Sequence, residues 1–128
     1  MTQPLKPKVS RIMHELAVCQ SIIDQVKRIA AEHQARVVEK IYIQIGPLSG
    51  VEPDLLKSAF PMASANTAAA QAVLIINRLP IRVLCNTCQA ESETSVSRLV
   101  CGVCGNWQTT LLSGDELLLE RVVLRSEH

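Results

Sequence analysis

At 128 residues and 48% hydrophobic content, the chain has the length and composition of one compact domain with a small attached module, which excludes a disordered or large multidomain protein. Its formal net charge is +1, but three of the 13 basic residues (Lys6, Lys8 and Arg11) precede the first acidic one, and the other 10 face 12 acidic residues. The body from Ile12 onward is therefore slightly acidic, which argues against a nucleic-acid-binding surface.

The opening stretch is polar, contains Pro4 and Pro7, and lacks an apolar run that would serve as a signal-peptide core, so residues 1–12 are expected to form a disordered N-terminal extension. From His14 to His33, Leu16, Cys19, Ile22, Ile23, Val26, Ile29 and Ala30 recur at steps of three and four, which predicts an amphipathic helix. Cys19 falls on its apolar stripe and is expected to be a small buried hydrophobe rather than a ligand. In Val37–Ile45, Ile41, Ile43 and Ile45 alternate with Lys40, Tyr42 and Gln44, the pattern of a half-buried strand. Gly46-Pro47 ends it. Pro53 suits the first turn of a second helix, where its missing N–H costs nothing, and Leu55, Leu56, Ala59 and Phe60 supply its buried side; Pro61 is expected to kink or end that helix.

After an Ala-rich link, Val73–Leu79 and Ile81–Leu84 read as one β-branched strand bent or interrupted at Pro80. The longest apolar run, near Val73–Ile76, is too short to span a bilayer, and a soluble cytoplasmic protein is expected. From Cys85 to Gln108 the composition shifts to Cys, Ser, Thr, Gly and Asn, with too few apolar side chains for a core of its own, so a metal must supply the missing stability. Leu117–Leu124 is again apolar and β-prone and is expected to return to the main sheet. The cysteine module is then an insertion between two strands of an α/β domain.

Cys85-Asn86-Thr87-Cys88 and Cys101-Gly102-Val103-Cys104 each place two thiolates on one tight turn, and the 12 residues between them allow a short hairpin that brings the turns face to face. Four thiolates at tetrahedral corners close a coordination shell around a structural zinc ion, leaving no open position for substrate. Gly102 and Gly105 suit the backbone conformations of such turns. Disulfides fit poorly with a cytosolic location, and a redox dithiol needs no second matched pair; iron in a rubredoxin-like knuckle stays open as a rival.

Met13-His14-Glu15 opens the first helix. Alone, this is an ordinary helix start in which Glu15 favours the macrodipole. In a chain beginning at Met13, however, a free amine would lie one residue before an imidazole. The amine, the next amide nitrogen and His14 could then wrap Ni(II) or Cu(II) in fused chelate rings, with a further backbone or carboxylate donor completing the plane. His33 and His128 are expected to face solvent without a role.

Taken together, Met13-His14-Glu15-Leu16, Ile45-Gly46-Pro47-Leu48-Ser49-Gly50-Val51, the two Cys-x-x-Cys knuckles and Gly114-Asp115-Glu116-Leu117 resemble the HypA/HybF family of hydrogenase maturation nickel chaperones. The resemblance covers Met13 to about Leu124. It implies an α/β fold: a nickel-binding domain of a small three-stranded sheet and two helices, covering residues 13–82 and completed by a strand in 114–125, plus an inserted zinc-ribbon-like domain at 83–113. It implies nickel as cargo on His14, with Met13 and Glu15 as backbone or side-chain donors, and zinc on Cys85, Cys88, Cys101 and Cys104. The implied partners are a hydrogenase maturation GTPase, the large subunit of a nickel-iron hydrogenase and, in some relatives, urease maturation proteins; monomer and homodimer are both compatible.

This sequence departs from the family in two places. The 12 residues before Met13 make its nitrogen an amide, and Pro61 falls in a helix the family keeps continuous. A zinc-ribbon module for nucleic-acid or protein interaction is the rival class, but the acidic body and three aromatic residues do not favour nucleic acid. No Ser-His-Asp, Cys-His or paired-carboxylate constellation can be assembled, so catalysis is not expected.

Overall fold

The computed structural model describes residues 8–125, in the order α1 (Lys8–Glu32), β1 (Val37–Ile45), α2 (Pro53–Ser64), β2 (Val73–Arg78), β3 (Ile81–Cys85), β4 (Glu91–Thr94), β5 (Thr109–Ser113) and β6 (Leu117–Arg125). Two three-stranded sheets result, ordered β2-β1-β6 and β4-β3-β5. An α/β fold with a small sheet, two helices and a separate ribbon is thus present. No helix among the described residues is long and apolar enough to cross a membrane.

Helix α1 buries the stripe its periodicity predicts, with Cys19, Ile22, Ile23, Val26 and Ala30 in the core. Each aliphatic side chain buried this fully contributes about 1.5–3 kcal/mol. The helix closes on a left-handed residue, Gln34 (φ 57°), whose turn lets the Ala35 amide reach back to the Ala30 carbonyl at 2.8 Å. Its start differs from expectation: the helix begins at Lys8, so residues 8–12 are helical backbone rather than part of a disordered extension. The apolar spacing explains this, since Val9 and Ile12 continue the three-and-four rhythm backwards from Leu16. Residues 1–7 of that expected extension lie outside the described residues.

Helix α2 packs against α1 through Leu56, Ala59 and Phe60. Pro53 occupies its first turn, as anticipated. Pro61 does not end it: the helix runs on to Ser64, because Pro61 is exposed and only one turn remains, held from the other side by buried Phe60 and Ser64.

In β1, Val38, Ile41, Ile43 and Ile45 are buried, and Tyr42 on the other face lies under the Arg121 guanidinium at 4.1 Å from its ring centroid. The interruption expected at Pro80 is present, and it is also a change of sheet: the Leu79 amide still donates to Ile45 O (2.9 Å), and past Pro80 the chain leaves β1's sheet and starts the second at Ile81.

The chain forms two compact units. One holds the residues up to Tyr42, Glu52–Ile75 and the chain from Leu119; its core joins α1 and α2 with Val38, Ile41 and Leu74. The other holds Ile43–Val51 and Ile76–Leu118, wider than the expected 83–113 because the Gly46 turn and the Gly114 turn belong to it. There the Gly46 amide donates to Glu116 O (2.9 Å) and the Leu48 amide to Gly114 O (2.7 Å), an approach so close that any side-chain carbon on Gly46 would collide with the Gly114 carbonyl. Gly114 is itself left-handed (φ 125°) and pressed against Ile81.

Candidate metal centres

Strand β3 ends at Cys85 and sets the first thiol at the tip of the second sheet. It pairs antiparallel with β4 (Leu84 opposite Glu91) and with β5 (Cys85 opposite Thr109). Each knuckle then folds by the same rule. The amides of Thr87 and Cys88 point at Cys85 Sγ (3.4 and 3.3 Å), and those of Val103 and Cys104 at Cys101 Sγ (3.3 and 3.4 Å). A turn closes behind each: the Gln89 amide donates to Cys85 O at 3.0 Å, and the Gly105 amide to Cys101 O at 2.9 Å. That turn needs a left-handed residue in both copies, Gln89 at φ 66° and Gly105 at φ 77°. Gly102 has a different reason to be small, since it sits against Ser92, whose hydroxyl accepts its amide at 2.9 Å.

The four sulfurs converge, all within 4.8 Å of one another, with Cys85 and Cys104 3.6 Å apart and Cys88 and Cys101 3.7 Å apart. A tetrahedral ion with metal–sulfur bonds of about 2.3 Å sets sulfur–sulfur edges of about 3.8 Å, so the cage matches one ion of that size. Its electrostatics are prepared on one side. The amide of Cys88, then that of Thr87, hold Cys85 below the usual thiol range, and the amides of Cys104 and Val103 bring Cys101 down to about 6. The Ala90 amide also pulls Cys88 down, but burial and the neighbouring sulfurs outweigh it and push the thiol up to about 12. Cys104 is raised as well: the Asn106 amide lowers it, and the Cys85 sulfur and burial prevail. Cys85, Cys88, Cys101 and Cys104 would hold a cation, which would take the place of those protons and remove the conflict among four like groups.

Sequence reasoning missed the residues that brace the cage. Asn86 donates its amide to Gln108 O (2.9 Å) and accepts the Thr110 hydroxyl on its side chain (2.9 Å), while Ser92 ties the second knuckle to β4. Comparing the knuckles position by position would have flagged Gln89, which occupies the place of Gly105.

At the other candidate centre the structure separates what the sequence puts side by side. Met13 lies in helix α1, and its side chain is outside the described residues. His14 is exposed, whereas Glu15 is 1% exposed, and its Oε2 accepts the Glu52 amide at 2.8 Å where α2 begins. The Glu15 carboxylate thus caps a neighbouring helix, and its Oε1 has no hydrogen-bond partner among the described residues. Cys19 sits one turn further along, buried, its thiol donating to Leu56 O at 3.4 Å; it behaves as the core residue expected. His33 is exposed as expected, and His128 lies outside the described residues. Among the described residues, the one group of three or more metal-binding side chains that comes together is the cysteine cluster.

A family model described as hydrogenase/urease nickel incorporation, metallochaperone, hypA matches residues 13–124, from the Met-His-Glu run through both knuckles into β6. The chain belongs to the HypA family. The hydrogenase maturation factor HypA of Nitrosospira multiformis is 44% identical over 112 residues, spanning 88% of this chain and 97% of that protein. The HypA of Aquifex aeolicus is 36% identical over the same length and shares. A solved structure of a HypA protein superposes with a TM-score of 0.67 at 25% identity, covering 90% of this chain and 98% of that one. The Ni metallochaperone HypA from Helicobacter pylori shares the fold, with a TM-score of 0.63 at 23% identity over 88% of this chain and 98% of that one. The HypA relatives are named as maturation factors for hydrogenase, and the family model is that of a metallochaperone.

Proposed function

We propose that this protein loads Ni(II) at the start of its first helix and passes it to the large subunit of a nickel-iron hydrogenase. The observation that carries this is where the family match begins: at Met13, with His14 next, the residue whose imidazole is exposed. His14 is the side-chain ligand, and Met13 and Glu15 supply backbone nitrogen. Glu15 serves by its nitrogen because its carboxylate is buried against Glu52. Ligands drawn mainly from one short backbone stretch suit a carrier, since release then needs little unfolding.

The four cysteines hold one structural zinc, whose closed thiolate shell fixes the ribbon and takes no part in transfer. The carrier works in the cytoplasm with a maturation GTPase, and the urease pathway named in the family description is a second destination. Nucleic-acid binding and catalysis are not part of this role.

The test is complementation in a host lacking its own HypA. Wild type is expected to restore hydrogenase activity and His14→Ala to leave it absent, with nickel content of the hydrogenase as the readout. Equal restoration by both would remove His14 from the role. Elemental analysis of freshly purified protein is expected to give one zinc per chain, lost in Cys85→Ser; iron in its place would reassign the cage.

A further inference from the structure

The cysteine cage holds thiols of two kinds. Cys85 and Cys101, the first cysteine of each knuckle, are buried, whereas Cys88 and Cys104, the last of each, are exposed. Two sulfur contacts cross from one knuckle to the other, Cys85 to Cys104 at 3.6 Å and Cys88 to Cys101 at 3.7 Å. Each therefore joins an exposed sulfur to a buried one. The fifth cysteine, Cys19, is buried in the other unit with its thiol on Leu56 O, away from this chemistry.

Such a pair suits reaction with peroxide. The exposed sulfur meets the oxidant from solvent, and the buried one, sheltered from it, already touches the first and can resolve the product. We propose that the cage is also an oxidation site for hydrogen peroxide, which converts it into two crossing disulfides, Cys85–Cys104 and Cys88–Cys101, and so ends its hold on the ion. This rests on the cage holding zinc, as proposed above.

In each pair the exposed thiolate attacks a peroxide oxygen and the O–O bond breaks. Hydroxide leaves and takes up a proton as water, and the sulfur becomes a sulfenic acid. The buried thiolate then attacks that sulfur, the S–O bond breaks, and a second hydroxide departs and is protonated. Each disulfide thus consumes one peroxide and two protons; sulfur is oxidised and peroxide oxygen reduced. With all four sulfurs bonded in pairs, the residues no longer offer thiolates to a cation.

Crossing is favoured over closure within a knuckle because this unit depends on a staple. It buries few aliphatic residues, and bonds inside each Cys-x-x-Cys would leave the knuckles untied once the cage had opened. The crossing bonds are nested along the chain, 88–101 inside 85–104, and tie together the same two knuckles as the ion. Forming them in the folded ribbon costs no further loop closure. The oxidised chain therefore keeps its ribbon without metal, and a thiol reductant restores the cage.

The test treats the full zinc-loaded chain with a molar excess of hydrogen peroxide at neutral pH. Zinc release is followed with a chromogenic chelator. Disulfide connectivity is read by peptide mass spectrometry after free thiols are blocked, and backbone protection by hydrogen exchange. Loss of the zinc is expected, with Cys85–Cys104 and Cys88–Cys101 linked. Protection of β3, β4 and β5 is expected to survive oxidation and to vanish when a chelator removes the metal under reducing conditions. Cys19→Ala is expected to behave as wild type. Zinc retained on four reduced cysteines, or bonds formed within the knuckles, would overturn the proposal. Elemental analysis before treatment separates this from the underlying assignment, since a chain purified with another metal or none would overturn the zinc reading itself.

Discussion

Glu15 and His14 are neighbours in different surroundings, one buried with its carboxylate on the Glu52 amide at the start of α2 and the other exposed, in the stretch proposed to take nickel. Glu15→Ala strands the Glu52 amide and opens a void, so urea unfolding is expected to show a loss of about 1–3 kcal/mol, with Glu15→Gln, which keeps an acceptor, losing less. Cys19 provides a pH signature. Burial, then the nearby Glu15 charge, pushes its thiol up to about 11, above the 9.0 of an unhindered thiol. The folded state holds the proton where the unfolded chain has released it, so this contribution is full below about pH 9 and fades as pH rises towards 11. Denaturation midpoints are expected to fall across that window in wild type and to fall less in Cys19→Ala.

Pro61 shows how an element can outlast its own weak point. The proline removes one hydrogen bond from the interior of α2 while its ring faces solvent. Pro61→Ala is therefore expected to stabilise the protein by about 1–2 kcal/mol, the gain in helix propensity less the freedom returned to the unfolded chain, measured as a rise in melting temperature. The sequence made β1 and the body of α1 legible because one face of each is buried, and burial writes a period of two or of 3.6 into the residues. The knuckles were legible because metal geometry dictates cysteine spacing. Three features were not. The start of α1 was obscured by prolines and charges that read as a tail. The change of sheet at Leu79-Pro80 depends on which partners Ile81–Cys85 finds, and local propensity carries no record of partners. The inward turn of Glu15 follows from the position of α2, 37 residues away in sequence.

For the molecule as a whole, the two units draw on different sources of stability. The unit with both helices has a continuous apolar core, whereas the one carrying the cysteines buries a handful of aliphatic residues and leaves Val103, Trp107 and Leu112 exposed. Structural zinc in small domains contributes about 10–16 kcal/mol, enough to decide whether such a unit folds. Removing metal with a strong chelator is expected to abolish hydrogen-exchange protection in β3, β4 and β5 while α1 and α2 keep theirs. If all elements lost protection together, the units would not be energetically separate.

The paired turns at Gly46 and Gly114 carry a consequence for how the gene tolerates change. One position is filled by its neighbour's carbonyl, and the other is bent into a left-handed shape against an isoleucine, so neither has room for the smallest side chain. In a saturation library sorted for folded protein, both codons are expected to return glycine alone, while the exposed Gly50, with open space around it, accepts asparagine. Two hydrogen atoms where other residues carry carbon are what let these strands of backbone touch.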